Sequence, residues 1–516
     1  MIVNALVQEA QYTSTMIYVG RLGAAKYLGA ATLGNMLCNI TGFSLAYGLC
    51  SALDTLIAQS FGAKEYSLMG LHAQRAAVIM TLFAIPVAGV WLMTEWIVHY
   101  GMGIDAEVSR LAGYWARWIL LGLWPNLMFQ ILRRLLQGCG IIWPIIVSSA
   151  ISTIVNIISN YILIDVLDWG FDGAAVSVGV AQWAGFIGLV LIIYIQATFL
   201  SPLSQEDDEL WSSSVTDVET LSIGTDSSDF SVETECNSEK SLKGHPPSDP
   251  LNRIHTILLE TTQSFIPNFP FHEMFPVWSS RVWSNWPIFL ELGMPGAFSL
   301  FLEWGSYELM AMIAGKLGTT ALATHGVFMT TCAIIYMVPQ AVADATAVLA
   351  GNYLGQNDSN QAKSIITVGM SFDMCIGIFA ASMLLFVLRP YWGPIFTSDV
   401  EVQLEVYEKL PIMFVYITVD SMKCIALNVL RSTGRPQVTM FGNIFCCIAI
   451  MLPLGWYCAI VLQYGLWGVW GAMSIGWLCA TVVYVTVLML TDWETQAKEA
   501  SRRIAADSYK VIEHEI

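Results

Sequence analysis

Long apolar stretches separated by short polar or glycine-rich breaks dominate this chain. Runs of 18 or more mostly apolar residues recur along it, and each can cross a hydrocarbon core of about 30 Å as a helix. One or two such runs fit inside a soluble core, but about twelve do not. The pattern predicts spans at 2–20, 29–57, 76–99, 112–132, 144–164, 173–198, 287–313, 321–350, 364–388, 410–430, 438–462 and 468–491. The first run is short at its start, so a preceding N-terminal piece is expected. No cleavable signal peptide is evident.

Composition agrees with this reading. Of 516 residues, 55% are hydrophobic and 12% charged, against about 25% charged in soluble domains. The net charge of −17 is mostly local. Residues 201–250 carry 12 Asp or Glu against two Lys, together with 12 Ser. Such a segment buries too little apolar surface to fold, so residues 200–282 are predicted to be a largely disordered, acidic, Ser-rich linker. No basic stripe suggests nucleic acid. The 11 cysteines are scattered through apolar runs without C-x-x-C or metal spacing and read as buried free thiols. No cofactor or metal is expected.

Lys and Arg counts orient the spans. Fifteen fall on the side of the termini and linker, seven on the opposite side, and Lys423 lies inside a span. The termini and linker are therefore expected in the cytoplasm. The tail after Asp492 alternates in charge and reads as an amphipathic helix.

The two halves rhyme. Gln59-Ser-Phe-Gly-Ala63 closes the second span, and Asn352-Tyr-Leu-Gly-Gln356 closes the eighth. Gly138 and Gly434 follow spans four and ten, and Gly170 and Gly465 open spans six and twelve. The offsets of 293, 296 and 295 residues are nearly constant. Six spans per half make the repeats parallel, related by an axis along the membrane normal. The predicted organisation is a six-helix lobe (1–199), the linker (200–282), a second six-helix lobe (283–491) and a tail (492–516). Two lobes around a cleft suit alternating access.

Several of these motifs occur in the order seen in a known family. They are Tyr18-Val-Gly-Arg-Leu-Gly23, Ala52-Leu-Asp-Thr-Leu56, Leu132-Arg-Arg-Leu-Leu-Gln137, Asn156-Ile-Ile-Ser-Asn-Tyr161, Phe301-Leu-Glu-Trp304, Tyr336-Met-Val-Pro339 and Leu430-Arg-Ser-Thr-Gly434. The chain resembles the multidrug and toxic compound extrusion (MATE) family in its eukaryotic branch. The resemblance implies an all-α fold of twelve membrane helices in two lobes, and export of organic, often cationic, compounds in exchange for protons or sodium ions. Thr15 and Asn160 stand where bacterial members commonly carry carboxylates, and neither titrates. Asn156 and Asn160 remain candidates to line the substrate path.

Charges inside spans are costly and tend to be functional. Glu303, mid-way along span seven, is the first candidate: protonation would compete with binding of a cation, and the resemblance also places an essential Glu here. The alternative is a Glu hydrogen-bonded to a neighbouring helix. Glu308 lies about 140° around the same helix and faces either the cleft or the outer interface. Trp304 and Tyr307 beside these residues suit a flat organic cation or simple packing. Asp420 in span ten precedes Lys423 by three positions on one helix face, giving either a static salt bridge or a pair that opens in the cycle. Asp344 lies nearer the cytoplasmic end of span eight. Asp54 in span two reads as packing or gating, and Pro295 with Gly296 as a hinge or a tolerated membrane proline.

The competing function is a lipid-linked oligosaccharide flippase of similar architecture, which calls for a basic cleft. No H-E-x-x-H, intramembrane G-x-S-x-G or G-x-x-x-x-G-K-[S/T] supports an enzyme or an ATP-driven pump. The expected partners are an organic cation or xenobiotic, a proton and the lipid bilayer, with a monomer in the plasma or vacuolar membrane.

Overall fold

A computed structural model describes residues 2–22, 25–197 and 280–513. Among these, α1 (Ile2–Arg21), α2 (Lys26–Gly62), α3 (Tyr66–Leu92), α4 (Ala106–Gly138), α5 (Trp143–Val166) and α6 (Gly170–Ile195) make the first half. The second half comprises α7 (Trp286–Gly315), α8 (Thr319–Gly355), α9 (Ser359–Phe396), α10 (Val400–Ser432), α11 (Pro436–Val461) and α12 (Leu466–Met489). A final helix, α13, covers Trp493–Glu513. Nine of the first twelve are long and apolar enough to cross a membrane by composition alone. The other three, α1, α4 and α7, have comparable lengths but carry more polar side chains.

The helices start and stop where local chemistry dictates. Asp105 caps α4 by accepting a hydrogen bond from the Glu107 amide, and Asp358 caps α9 through Gln361. Pro144 and Pro436 sit in first turns, where a missing N–H costs nothing. Gly170, Gly434 and Gly465 have positive φ, so these glycine turns of the repeat are backbone requirements. Gly138, matched to Gly434 in the sequence, is instead the last residue of α4, and the positive-φ glycine of that turn is Gly140. Helix α3 begins ten residues before its expected span because Leu68, Leu71 and Val78 bury one face against Val282 and Ile504. The i→i+5 turns at Asn39–Phe43 and Ile444–Met451 interrupt α2 and α11, and one at Tyr161–Val166 ends α5.

The linker expected at 200–282 lies outside the described residues except at its end. There Ser280–Trp283 forms a 3-10 turn with Val282 buried. The described residues up to Val190 and from Ser280 onward belong to one compact unit.

Within that unit the halves meet through repeat-related glycines. A β-carbon on Gly62 would strike the backbone of Asn352, and one on Gly355 would strike the backbone of Gln59. Each glycine of the pair thus packs on the residue three positions before its counterpart. Helix α13 closes over the same end. Its Asp507 Oδ2 lies 2.8 Å from Arg75 Nη1 and 3.6 Å from His72 Nε2 of α3. Arg503 Nη1 donates to Gln59 Oε1 at 2.7 Å. The lobes are closed at the end that carries the tail.

Candidate functional site

Three charged side chains meet inside the C-terminal half. Lys423 Nζ on α10 lies 2.8 Å from Glu303 Oε1 on α7 and 2.7 Å from Asp420 Oδ1 on its own helix. Lys423 is 1% exposed, Glu303 and Asp420 7% each. The Asp420–Lys423 pair follows from helical spacing. The bond to Glu303 depends on tertiary packing, which brings α7 alongside α10. Lys423 Nζ also lies 3.9 Å from the centroid of the Trp477 ring on α12, so two carboxylates and an aromatic face enclose the ammonium. With all three ionised the cluster carries one net negative charge.

Aromatic hydroxyls lie around the cluster. Tyr416 OH donates to Tyr307 OH at 3.1 Å, and Tyr336 OH donates to Gln340 Oε1 at 2.6 Å. The chain continues from Gln340 Nε2 to Asp344 Oδ1 at 2.5 Å, and Asn428 Nδ2 also reaches Asp344 at 3.4 Å. Asp344 therefore stands apart from the three-charge cluster, at the end of a polar ladder that runs along α8. Asp54 pairs with Arg134 of α4, a helix whose extension to Gly138 carries both Arg133 and Arg134 inside it.

Other candidates lie elsewhere. Trp304 points towards the first half, edge-on to Tyr47 at 6.2 Å. Glu308 lies within electrostatic reach of Tyr12 on α1, as does Glu9, so Glu308 looks across to the first half. Sequence reasoning passed over Glu9; the first helix does carry a carboxylate. Asn156 and Asn160 are fully buried. They belong to a network in which Thr15 Oγ1 donates to Asn156 Oδ1 at 3.1 Å and Ser177 Oγ donates to Asn160 Oδ1 at 2.7 Å. In this conformation they are core residues joining α1, α5 and α6. At Pro295 and Gly296, α7 touches α2: a β-carbon on Gly296 would strike Ser51 and the Gly48 carbonyl. The pair marks a close crossing of helices from the two halves. Of the ten described cysteines, all free, five are buried and Cys375 is exposed.

The sequence profile of the MatE family matches residues 1–162 and 295–457, once in each half. The chain belongs to the MATE family. Multidrug and toxin extrusion protein 2 of Oryctolagus cuniculus is 28% identical over 491 residues, covering 95% of this chain and 69% of the relative. Protein DETOXIFICATION 16 of Arabidopsis thaliana is 26% identical over 514 residues, covering 98% and 90%. The fold matches the crystal structure of the eukaryotic MATE transporter AtDTX14 with TM-score 0.77 at 22% identity, over 97% of this chain and 96% of that one. This MATE protein is thus a multi-pass membrane transporter with twelve spanning helices in two lobes.

Proposed function

We propose that this MATE protein exports organic cations or other xenobiotics in exchange for protons by alternating access, with the tail end in the cytoplasm. The observation that carries this reading is the Glu303–Lys423–Asp420 cluster buried between helices. The names of its relatives, multidrug and toxin extrusion proteins and DETOXIFICATION proteins, support the substrate class.

The chemistry is competition for negative charge. Two carboxylates share one ammonium, which leaves room for one further positive charge. An organic cation can take that place and turn an aromatic face towards Tyr307 and Trp477. A proton can take it instead, and the cluster then no longer attracts the organic cation. Each lobe arrangement opens the cluster to one side, so proton entry from one side releases substrate there. The 15-to-7 bias of basic residues supports the cytoplasmic placement of the tail. A flippase reading fares worse, because the buried lysine is already neutralised by two carboxylates.

The test is efflux from proteoliposomes containing the full chain. A fluorescent organic cation should leave against its gradient when a proton gradient is imposed in sodium-free buffer. Efflux that follows a sodium gradient and ignores the proton gradient would replace the coupling ion.

A further inference from the structure

A third acid lies beside the two of the cluster, and neither the sequence pattern nor the proposed exchange has used it. Asp373 is on α9, is 0% exposed, and neither of its carboxyl oxygens has a hydrogen-bond partner among the described residues. Its position is set by two glycines one turn to either side. Gly369 packs on Thr346 of α8, and Gly377 packs on Ser421 of α10, where a β-carbon would collide in both cases. Asp373 therefore stands at the closest approach of three helices, next to the turn of α10 that carries Asp420.

The titratable groups facing Asp373 come from α10. Asp420 and Cys424 are both within electrostatic range, while α8 presents the neutral Thr346. The cation in the neighbourhood, Lys423, is held by Glu303 and Asp420. An ionised carboxylate with no cation and no donor costs far more in such surroundings than a neutral carboxyl group. Buried ionisable groups inside membrane spans are kept where they carry ions or protons.

We propose that Asp373 holds a proton in this state and is a further proton-binding residue of the exchange, electrostatically linked to Asp420. This deepens the proton-coupled reading and rests on it for the role in transport. Glu303 and Asp420 share the ammonium, whereas Asp373 has neither a cation nor a donor, so the acid left to hold a proton while Lys423 stays seated is Asp373. Binding forms one O–H bond on the Asp373 carboxylate, with the proton taken from water on one side. Release returns the proton to water on the other side and restores the carboxylate. An organic cation that displaces Lys423 from Asp420 adds positive charge beside Asp373 and favours release.

Two measurements on the full chain in lipid test this. Infrared spectroscopy should show a protonated-carboxyl stretch at neutral pH that shifts in deuterated water and disappears in Asp373→Asn. A band unchanged in Asp373→Asn, or no such band in the wild type, overturns the proposal. In proteoliposomes, Asp373→Asn should lose the dependence of efflux on the imposed proton gradient, and Asp373→Glu should restore it with a displaced pH profile. Full gradient-driven efflux by Asp373→Asn also overturns it. If Asp373→Asn does not fold, the wild type and Asp373→Glu decide: both must show the band, at different pH midpoints. A wild type that transports under no gradient would count against the exchange reading, and the infrared band would still judge Asp373.

Discussion

Lys423 Nζ lies 2.8 Å from Glu303 Oε1, joining residues 120 positions apart. This bond ties α7 to α10 and converts two isolated acids into one charge cluster. Removing the ammonium leaves two buried carboxylates without a counter-charge. Lys423→Met should therefore lower thermal stability by the equivalent of about 3–5 kcal/mol, the usual cost of breaking a buried pair from one side. The loss should shrink on acidification, as protons replace the ammonium. Melting of purified protein in lipid nanodiscs, read across pH, checks both statements.

The tail helix supplies a second buried pair, Asp507 with Arg75, both 1% exposed. Burial alone would raise the Asp507 pKa. The charges of His72, when it is protonated, and of Arg75, with hydrogen bonds from Arg75 and Asn285, outweigh it and hold the carboxyl below its ordinary value. A depressed folded value means the stabilisation is fully present above the unfolded pKa of about 4. It is lost as pH falls through the folded value. Asp507→Asn should melt lower at neutral pH, and its difference from the wild type should close in acid. A constant difference across pH would show that charge is not the source.

Gly62 and Gly355 allow α2 and α8 to cross at backbone contact. Alanine at either position should push the tail ends of the two lobes apart and weaken the closed state. Spin-label distances between the tail ends of α2 and α8 should lengthen or broaden in Gly62→Ala and Gly355→Ala. Distributions identical to the wild type would show that the crossing yields without opening.

The scaffold is readable because its signals are local. A helix-length apolar run declares a span, and a glycine between two such runs declares a turn, so Gly170, Gly434 and Gly465 mark the repeat by their spacing alone. The Asp420–Lys423 pair is readable for the same reason, three positions on one helix face. The Glu303–Lys423 bond is not, because it depends on which faces of α7 and α10 meet. Asp373 stands in plain view as a lone acid in an apolar run; its lack of partners becomes visible only with α8 and α10 packed around it. Glu9 is easily overlooked among the polar residues of α1, Asn4, Gln8 and Gln11. The docking of Asp507 on Arg75 links chain segments 432 positions apart, beyond any local pattern.

The central claim, that the Glu303 cluster couples export to protons, is tested most directly by efflux of an organic cation from sodium-free proteoliposomes. Wild type and Glu303→Gln should be compared under the same imposed proton gradient, after confirming equal folding and incorporation. Wild type should drive the cation against its gradient, and Glu303→Gln should not. Equal gradient-driven efflux by both would contradict the account.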